Sequence, residues 1–556
     1  MLPAGGLLPA LARAGGAAVS SAARARILGP PRPAPKSSEA RGIDRSVAHP
    51  ISVHPTADQP AGVILHDVPP RPAVGLRPGI PAATARAPGG RAAVTCLVHP
   101  SRARRPLIGK ALLALALGLG CGLGSRLQAE ASVEPPLQAT VFLHLLAQDR
   151  AVQTRALEQI GAHWDPAFVA PLVEVASLTH DERLFVLLRK HTGEKRGSDP
   201  DAWFAYLWAR DERLPPFYAD FKAGLYGLID PRFREYFAPG AAATIRLDEI
   251  RWGGVKRDGI PPLKNPAMIP AAEAAYLQDS QVVFGVSHRG DNRAYPKRIL
   301  AWHEMVKDRI GGEELNGVYC TLCGSMILYR ADIAGEHHEL GTSGFLYRSN
   351  KLMYDHGTKS LWSTLTGEPA VGPLVGRGLK LTPLPVVTTT WGEWRRRHPD
   401  TQVLSLQTGH ARDYGEGVAY RDYFSTDELM FTVPRLDGRL KNKAEVLALR
   451  FGGPAERPTA ISAAFLARNP LFHGRLGSQA YVVVTDASGA NRVFASGGRT
   501  FVTAPGDQIA DEQGVRWRAT ESGLVSDGGA ELERLPAHRA FWFGWFSAFP
   551  DTELVK

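Results

Sequence analysis

The first 141 residues contain no Phe, Trp or Tyr, and the first aromatic side chain is Phe142. This stretch is rich in Ala, Pro, Gly and Arg, which cannot bury enough apolar surface to offset the entropy lost on ordering. We therefore expect residues 1–104 to be a disordered or mis-annotated leader, with the true start codon further downstream. A disordered basic arm is the alternative.

Acidic residues are also scarce at this end of the chain. Residues 1–110 hold 15 Lys and Arg but 4 Asp and Glu, so the remainder carries 50 basic and 51 acidic groups. The formal net charge of +10 therefore belongs to the leader and not to the part that can fold. Net charge gives no reason to infer nucleic-acid binding, and no nucleic-acid partner is expected.

The N-terminal region also lacks an apolar run that would cross a bilayer comfortably. The run Ala111–Leu123, about 13 residues, follows four basic residues and precedes the small-residue sequence Ala129-Glu130-Ala131. This order is typical of a secretory signal. We expect a signal peptide or membrane anchor over 105–131, with residues 107–123 as the anchor, and a periplasmic or extracellular mature chain from near Ser132. A buried apolar helix is the alternative.

Cysteine is rare in this chain. Of the 4 cysteines, Cys96 and Cys121 precede the expected cleavage site, so Cys320 and Cys323 are the thiols expected in the mature protein. In an oxidising compartment such a pair can form a structural disulfide. However, a C-x-x-C bridge closes a very short loop and adds little to stability. Metal ligation and thiol redox exchange are therefore the more useful roles.

Several catalytic signatures are missing. There is no second C-x-x-C, and no His follows Cys323, which excludes covalent c-type haem. We find no serine-hydrolase elbow, P-loop or paired catalytic carboxylates in a supporting context. Gly324-Ser325 and the apolar residues beyond predict a turn or strand, whereas a thioredoxin motif opens a helix. A thioredoxin fold is therefore disfavoured.

The first folded segment is expected to be helical, over residues 132–244. Three Asp-Pro pairs begin at Asp165, Asp199 and Asp230, at intervals of 34 and 31 residues. Asp as N-cap with Pro at the first helical position is a favourable helix start. The spacing resembles a short HEAT-like helical-repeat module, which leaves a protein partner open. An irregular helical bundle is the alternative.

Downstream, short apolar runs separated by Gly and polar turns predict strands, and one β-rich unit is expected twice. The motif W-x-x-W-x-x-x-x-P-D-T occurs twice without a change in spacing. The expected copies are residues 245–410 and 411–556, the second degenerate because it lacks the cysteines. The fold class is therefore α+β, a helical-repeat module followed by a duplicated β-rich unit. The paired anchors are Asp355 and Asp511, Trp362 and Trp517, Trp391 and Trp542, and Trp394 and Trp545.

The candidate site consists of Cys320, Cys323 and His303, with His303 on a helix predicted between Pro296 and Asp308. Imidazole joins thiolates at zinc, copper and iron, so the three are candidate ligands of a transition metal. The two cysteines are candidate catalytic residues if the pair is redox-active. Alternatively, His303 is a core or surface histidine. Candidate supporting residues are Arg293, Tyr295, Glu304, Asp308, Met353, which is otherwise a core residue, and Asp355.

The motifs around these residues resemble a known family. They are Asp258-Gly259-Ile260-Pro261-Pro262, Arg293-Ala294-Tyr295-Pro296, His303-Glu304, Tyr319-Cys320-Thr321-Leu322-Cys323-Gly324, Ser343-Gly344, Met353-Tyr354-Asp355 and Ser360-Leu361-Trp362. Together they resemble the prokaryotic family of unknown function numbered 3179, over residues 245–405 and more weakly to the C-terminus. The chain departs from the family at Thr321, where Pro is common, and at Lys307, where Asn is frequent. The resemblance implies an exported protein and no established activity.

Two functions of different classes follow from these observations. In the first, an exported protein binds a metal or exchanges thiols through the Cys-x-x-Cys and His site. In the second, the duplicated unit is a non-catalytic binding or scaffold module, and its cysteine pair is structural. The sequence leaves the metal, the substrate and enzymatic activity itself undecided.

Overall fold

The computed structural model describes residues 137–210, 212–451, 456–504 and 508–556. The expected leader, the signal or anchor segment, Cys96 and Cys121 lie outside these residues. The described chain combines short helices with many strands in several sheets, which confirms the α+β class. Within those four ranges, no helix is both long and apolar enough to span a membrane.

Six short α-helices form the N-terminal part of the described chain. Asp165, Asp199 and Asp230 each accept a side-chain hydrogen bond from the amide two residues on, and Pro follows each of them. The predicted helix starts are confirmed, but only Asp199 begins an α-helix, and the other two begin 3-10 helices. The HEAT-like repeat therefore stays a prediction. The helices are α1 Ala139–Leu143, α2 Arg150–Ala162, α3 Val169–Thr179, α4 Glu182–Thr192, α5 Pro200–Trp208 and α6 Tyr218–Gly227.

A buried ion pair joins these helices to one another and to the first strand. Glu174 of α3 and Lys222 of α6 form a salt bridge with relative exposures of 1% and 0%. The hydroxyls of Tyr218 and Tyr226 donate to the same carboxylate at 2.7 and 2.8 Å. The Lys222 ammonium also donates to the backbone carbonyl of Ile250 at 2.8 Å. Both charges are thus compensated inside the apolar core that the helices share with the first sheet.

The next part of the chain forms three five-stranded sheets and one small hairpin. The sheet orders are β1-β11-β12-β13-β14, β15-β8-β7-β6-β2 and β16-β4-β5-β17-β3, and β9 pairs with β10. The elements are β1 Ile250–Trp252, β2 Leu263–Lys264, β3 Met268–Pro270, β4 Val282–His288, β5 Asp291–Pro296, α7 Lys297–His303, β6 Met305–Ile310, β7 Glu313–Cys320, β8 Ser325–Arg330, β9 Asp332–Ile333, β10 Glu336–His337, β11 Leu340–Tyr347, β12 Asn350–Asp355, β13 Leu361–Ser363, β14 Pro369–Val371, β15 Pro383–Leu384, β16 Val387–Thr390, α8 Trp391–Arg397 and β17 Gln402–Leu404.

The C-terminal part forms a four-stranded and an eight-stranded sheet. Their orders are β28-β18-β19-β29 and β20-β21-β22-β27-β26-β25-β24-β23. The elements are α9 Arg421–Ser425, β18 Glu445–Leu449, β19 Thr459–Ser462, α10 Ala463–Arg468, β20 Leu471–Leu476, β21 Gln479–Thr485, β22 Asn491–Ala495, β23 Phe501–Ala504, β24 Gln508–Asp511, β25 Arg516–Ala519, β26 Gly523–Ser526, β27 Glu531–Leu535, β28 Ala537–Phe541, α11 Trp542–Ala548 and β29 Glu553–Val555.

The recurring Trp motif has the same local contacts at both of its positions. The Trp394 indole donates to the Thr401 hydroxyl at 2.9 Å, and the Trp545 indole donates to the Thr552 hydroxyl at 2.9 Å. In both places a strand precedes the helix that carries the Trp pair, and the strand after it pairs in parallel with an inner strand. The motif is therefore a strand-helix-strand unit closed by an indole–hydroxyl bond.

The helix expected between Pro296 and Asp308 is shorter than predicted. It ends at His303, because Glu304 takes the left-handed conformation with φ of 55°, and β6 follows at once. The motif Ser343-Gly344 lies inside β11 at a register shift. Gly344 has φ of 88°, and a Cβ there would lie 2.5 Å from the Val255 carbonyl oxygen, so only glycine fits this bulge.

Candidate functional site

The two cysteines lie at the turn of the hairpin formed by β7 and β8. Cys320 pairs with Ser325 across the hairpin, and the Cys323 amide donates back to the Cys320 carbonyl at 3.2 Å. The turn and strand expected after Cys323 are thus confirmed. The Phe541 amide of β28 donates to the Cys323 carbonyl at 2.7 Å. A Cβ on Gly324 would lie 2.9 Å from the Phe541 ring, so the turn fits closely against the C-terminal part.

The sulfur atoms of Cys320 and Cys323 are 2.6 Å apart, and both thiols are free and buried. A disulfide bond is about 2.03–2.05 Å long, so the pair is a dithiol in this structure. The Cys323 thiol also lies 3.2 Å from the backbone carbonyl of Ser349, which can accept its hydrogen. The sulfurs are therefore close enough to exchange one proton or to form one bond.

The surroundings shift the pKa values of the two thiols in opposite directions. Burial raises the pKa of the Cys320 thiol, but hydrogen bonds from Cys323 and from the Lys351 backbone outweigh burial, and the net shift is downward. Burial and the hydrogen bond to Cys320 raise the pKa of Cys323 well above its ordinary value. As the pH rises, Cys320 is thus the thiol that loses its proton first, and Cys323 stays protonated.

A buried ion pair lies beside the thiols. The Lys351 ammonium is 2.6 Å from the Glu304 carboxylate, and both side chains are less than a tenth exposed. The Tyr420 hydroxyl donates to the same carboxylate at 3.2 Å. The negative charge of Glu304 contributes to raising the pKa of both cysteines. Glu304, predicted as a supporting residue, therefore acts on the thiols through its charge.

An irregular segment covers the sulfurs on one side. Residues 414–433, here called the cover segment, contain α9 and contribute Tyr423 and Val433 to the apolar cluster around both cysteines. The Tyr423 hydroxyl donates to the Leu322 carbonyl, inside the C-x-x-C turn, at 2.7 Å. The cover segment thus packs against the C-x-x-C turn. Both cysteines are almost fully excluded from solvent.

The structure places His303 in a different set of contacts. Its Nδ1 donates to the Pro261 carbonyl at 2.8 Å, and its Nε2 accepts from the Tyr414 hydroxyl at 2.6 Å. Both ring nitrogens are therefore engaged, and no hydrogen bond joins His303 to either cysteine in the described part of the chain. Burial lowers the pKa of His303 from the ordinary 6.5 to about 4. The side chain is a neutral core histidine with a fixed tautomer.

This histidine predicts a loss of stability in acid. The unfolded chain binds a proton near pH 6.5, whereas the folded state does not until about pH 4. Between these values the unfolded state holds more protons, so the free energy of unfolding should fall by about 2–3 kcal/mol as the pH is lowered through this window. Urea titrations at several pH values should show a smaller fall for His303→Gln. Parallel curves for the two proteins would contradict the assignment.

The remaining predicted supporting residues belong to two other networks and to the core. Asp308 accepts from the Arg293 guanidinium at 2.7 Å and from the Tyr295 hydroxyl at 2.6 Å. Asp355 lies 2.8 Å from the His338 ring and accepts from the Thr358 amide at the turn before β13. Met353 is fully buried in an apolar cluster with Trp362. These residues hold strands together at separate places.

Sequence reasoning missed the groups that actually surround the sulfurs. Lys351, Ser349 and Tyr423 were not singled out, because Lys351 ends the polar run Arg348-Ser349-Asn350-Lys351 and looks exposed in the sequence. The loop between β11 and β12 has two residues, Arg348 and Ser349, with φ of 49° and 65°. Two-residue hairpin loops of this kind favour Asn and Gly, so the Arg-Ser pair does not predict such a loop from sequence.

The cysteine pair lacks the further side-chain ligands that a metal site requires. Among the residues that the structure describes, no three His, Cys, Asp or Glu side chains gather as a metal site. Tetrahedral zinc requires four ligands, or three with an open position. The C-x-x-C pair supplies two.

Comparison with known proteins gives one match. A family model described as "Protein of unknown function (DUF3179)" matches residues 257–552, which is more than half of the chain. No curated protein and no solved structure matches. The matched region contains the cysteine hairpin, the cover segment and both Trp motifs, while the N-terminal helices lie outside it. The motifs noted from sequence and the family model agree, and the chain belongs to the DUF3179 family.

Proposed function

We propose that Cys320 and Cys323 form a thiol–disulfide couple. The observation that carries this proposal is the 2.6 Å distance between two free sulfurs whose pKa values are shifted in opposite directions. Thiol exchange requires one sulfur that is a nucleophile and a second that resolves the intermediate. Cys320, with its lowered pKa, suits the first role, and Cys323 suits the second.

The step balances with an external disulfide as the oxidant. The Cys320 thiolate attacks one sulfur of that disulfide and forms a mixed disulfide, and the other external sulfur leaves as a thiolate. Cys323 then loses its proton and attacks the Cys320 sulfur, which releases the second external thiol. Two protein thiols become one disulfide, and two electrons and two protons pass to the external molecule. An exported location would supply such disulfides.

Burial favours a second candidate, the binding or scaffold module with an inert cysteine pair. Both sulfurs are almost completely excluded from solvent, and the cover segment lies over them. Under this alternative the pair would stay reduced in the folded protein and react only after unfolding. Metal ligation is the weaker part of the first hypothesis, because the donor set is incomplete and His303 is engaged elsewhere.

Oxidation of the folded protein distinguishes these candidates. In a Cys96→Ser/Cys121→Ser background, the folded protein should lose two hydrogens in oxidised glutathione and regain them in reduced dithiothreitol, as measured by mass spectrometry after acid quenching. Cys320→Ser should abolish mixed-disulfide formation, whereas Cys323→Ser should trap the mixed disulfide at Cys320.

Oxidation only under unfolding conditions would support the inert pair instead. A metal content near one per chain, abolished by Cys320→Ser/Cys323→Ser, would overturn the thiol couple in favour of metal ligation. Urea unfolding of each variant is the control for folding.

We also propose that the two β-rich parts are copies of one unit, as the paired sequence anchors predict. The strand orders β16-β4-β5-β17 and β28-β18-β19-β29 support this, with the outer strand parallel in both. So do the two indole–hydroxyl bonds of the Trp motifs. The thiol couple would then belong to one copy, because the second hairpin, β21 and β22, carries Asp486 and Arg492 in a buried ion pair.

A further inference from the structure

A cavity of about 130 Å³ lies where the two β-rich parts meet. One wall comes from β4, β16 and the ends of β7 and α7, and the other comes from Glu445, Ser488-Gly489, Arg539 and Phe541. Tyr319 and Gly324, which flank the two cysteines in the chain, also line it, although the sulfurs themselves do not. The cavity is therefore distinct from the covered thiol site.

One polar group in this cavity lacks a partner. The Tyr319 hydroxyl is buried, with 1% exposure of the residue, and none of the described groups forms a hydrogen bond with it. Its ring packs on Phe284, another lining residue, at a centroid distance of 4.9 Å. An unpaired buried hydroxyl costs about 1–3 kcal/mol, so a molecule that supplies an acceptor here would recover that energy.

The charges that line the cavity leave one cation uncompensated. Arg539 is paired with Glu445 at 2.6 Å and donates to the Asn491 side chain and the Gly489 carbonyl. Lys297 is half-buried, and its ammonium lies 4.6 Å from the centre of the Phe424 ring. Glu445 and Glu416 attract this charge, but no described carboxylate lies at ion-pair distance from it. The lining thus carries a net charge of +1, which a single anionic group would neutralise.

The rest of the lining sets the size and polarity of a ligand. Val282, Phe284 and Phe541 supply apolar surface, and three consecutive Thr residues, 388–390, supply a polar edge. A cavity of about 150 Å³ holds one benzene molecule, so this cavity admits roughly five to six non-hydrogen atoms. A nucleotide is far too large for this cavity.

We propose that this cavity binds a small monocarboxylate, with its carboxylate held by the Lys297 ammonium and the Tyr319 hydroxyl and its apolar end against Phe284 and Phe541. A carboxylate accepts hydrogen bonds and carries one negative charge, which matches both unsatisfied groups at once. The site does not depend on the thiol couple, because neither sulfur lines the cavity.

Titration calorimetry on the full chain tests this site with propionate and butyrate, and with the neutral isosteres propionamide and butyramide. At least one of the two carboxylates should bind with a dissociation constant of about 1 mM or lower. Its amide should bind at least about tenfold more weakly, because it carries no charge for Lys297. Lys297→Met should weaken carboxylate binding by about tenfold or more and Tyr319→Phe by about fivefold.

Lys380→Met provides the matched control, because Lys380 is exposed and pairs with Glu368 away from the cavity. It should leave carboxylate binding unchanged. The proposal is overturned if neither carboxylate binds with a dissociation constant below about 10 mM. It is also overturned if the amides bind as tightly as the carboxylates, or if Lys297→Met and Tyr319→Phe both bind the carboxylates like the unmodified protein. If Lys297→Met does not fold, as judged by circular dichroism, Tyr319→Phe and the amide comparison still decide the result.

Discussion

Replacing Glu174 with Ala is expected to lower the free energy of unfolding by about 3–5 kcal/mol, because it removes one partner of a buried ion pair. The Lys222 ammonium, with 0% exposure, would lose its counter-charge inside the core. The Tyr218 and Tyr226 hydroxyls would lose their acceptor at the same time. Urea unfolding at pH 7, followed by circular dichroism, measures the loss.

An exposed ion pair in the same helical part provides the comparison. Glu182 pairs with Arg189 at 2.6 Å, but its side chain is 59% exposed. Glu182→Ala should therefore cost no more than about 1 kcal/mol. Equal losses for the two variants would show that Glu174 does not hold the helices to β1. A double change of Glu174 to Gln and Lys222 to Met should recover part of the loss, since it leaves no unpaired charge.

Lys351→Met is the second change with a large expected effect, again about 3–5 kcal/mol, because it leaves the buried Glu304 carboxylate without its cation. Adding Glu304→Gln to this variant should restore much of the stability. The coupling energy from the double-mutant cycle measures the pair directly. A cycle in which the two losses simply add would show that the residues do not interact.

The same cycle has a second readout at the thiols. The Glu304 charge contributes to the raised pKa of Cys323 and opposes the lowered pKa of Cys320. Neutralising it in Glu304→Gln should favour the thiolate, so oxidation by a disulfide at fixed pH should become faster. An unchanged oxidation rate with an intact fold would show that the Glu304 charge does not affect the reactivity of the two thiols.

Local sequence rules predicted much of the secondary structure. The Asp-Pro pairs start helices because Asp caps free amides and Pro has none to leave unpaired, a requirement that depends on adjacent residues alone. The turn after Cys323 and the strand β8 were likewise visible in the order of Gly, Ser and apolar side chains. These features need no information from distant parts of the chain.

Long-range contacts explain what the sequence did not predict. His303 was placed with the thiols because it precedes them in the chain, but its ring nitrogens meet Pro261 and Tyr414 instead. Tyr414 lies 111 residues away, in a connection without regular periodicity. Lys351 and Ser349 reach the sulfurs through a hairpin loop whose positive φ values are unusual for Arg and Ser. No local sequence pattern predicts these long-range contacts.

The contacts between the two β-rich parts also bear on how the chain arose. The Cys320–Ser325 turn touches the strand that leads into α11, through the bond from the Phe541 amide to the Cys323 carbonyl. The turn between β21 and β22 touches the strand that leads into α8, through the Thr389 and Ser488 hydroxyls at 3.1 Å. Such reciprocal contact is the isologous pattern of a two-fold homodimer. If the parts are copies, a gene fusion of an ancestral dimer would explain the pattern, and fusion would free one subunit to keep thiols while the other acquired charges.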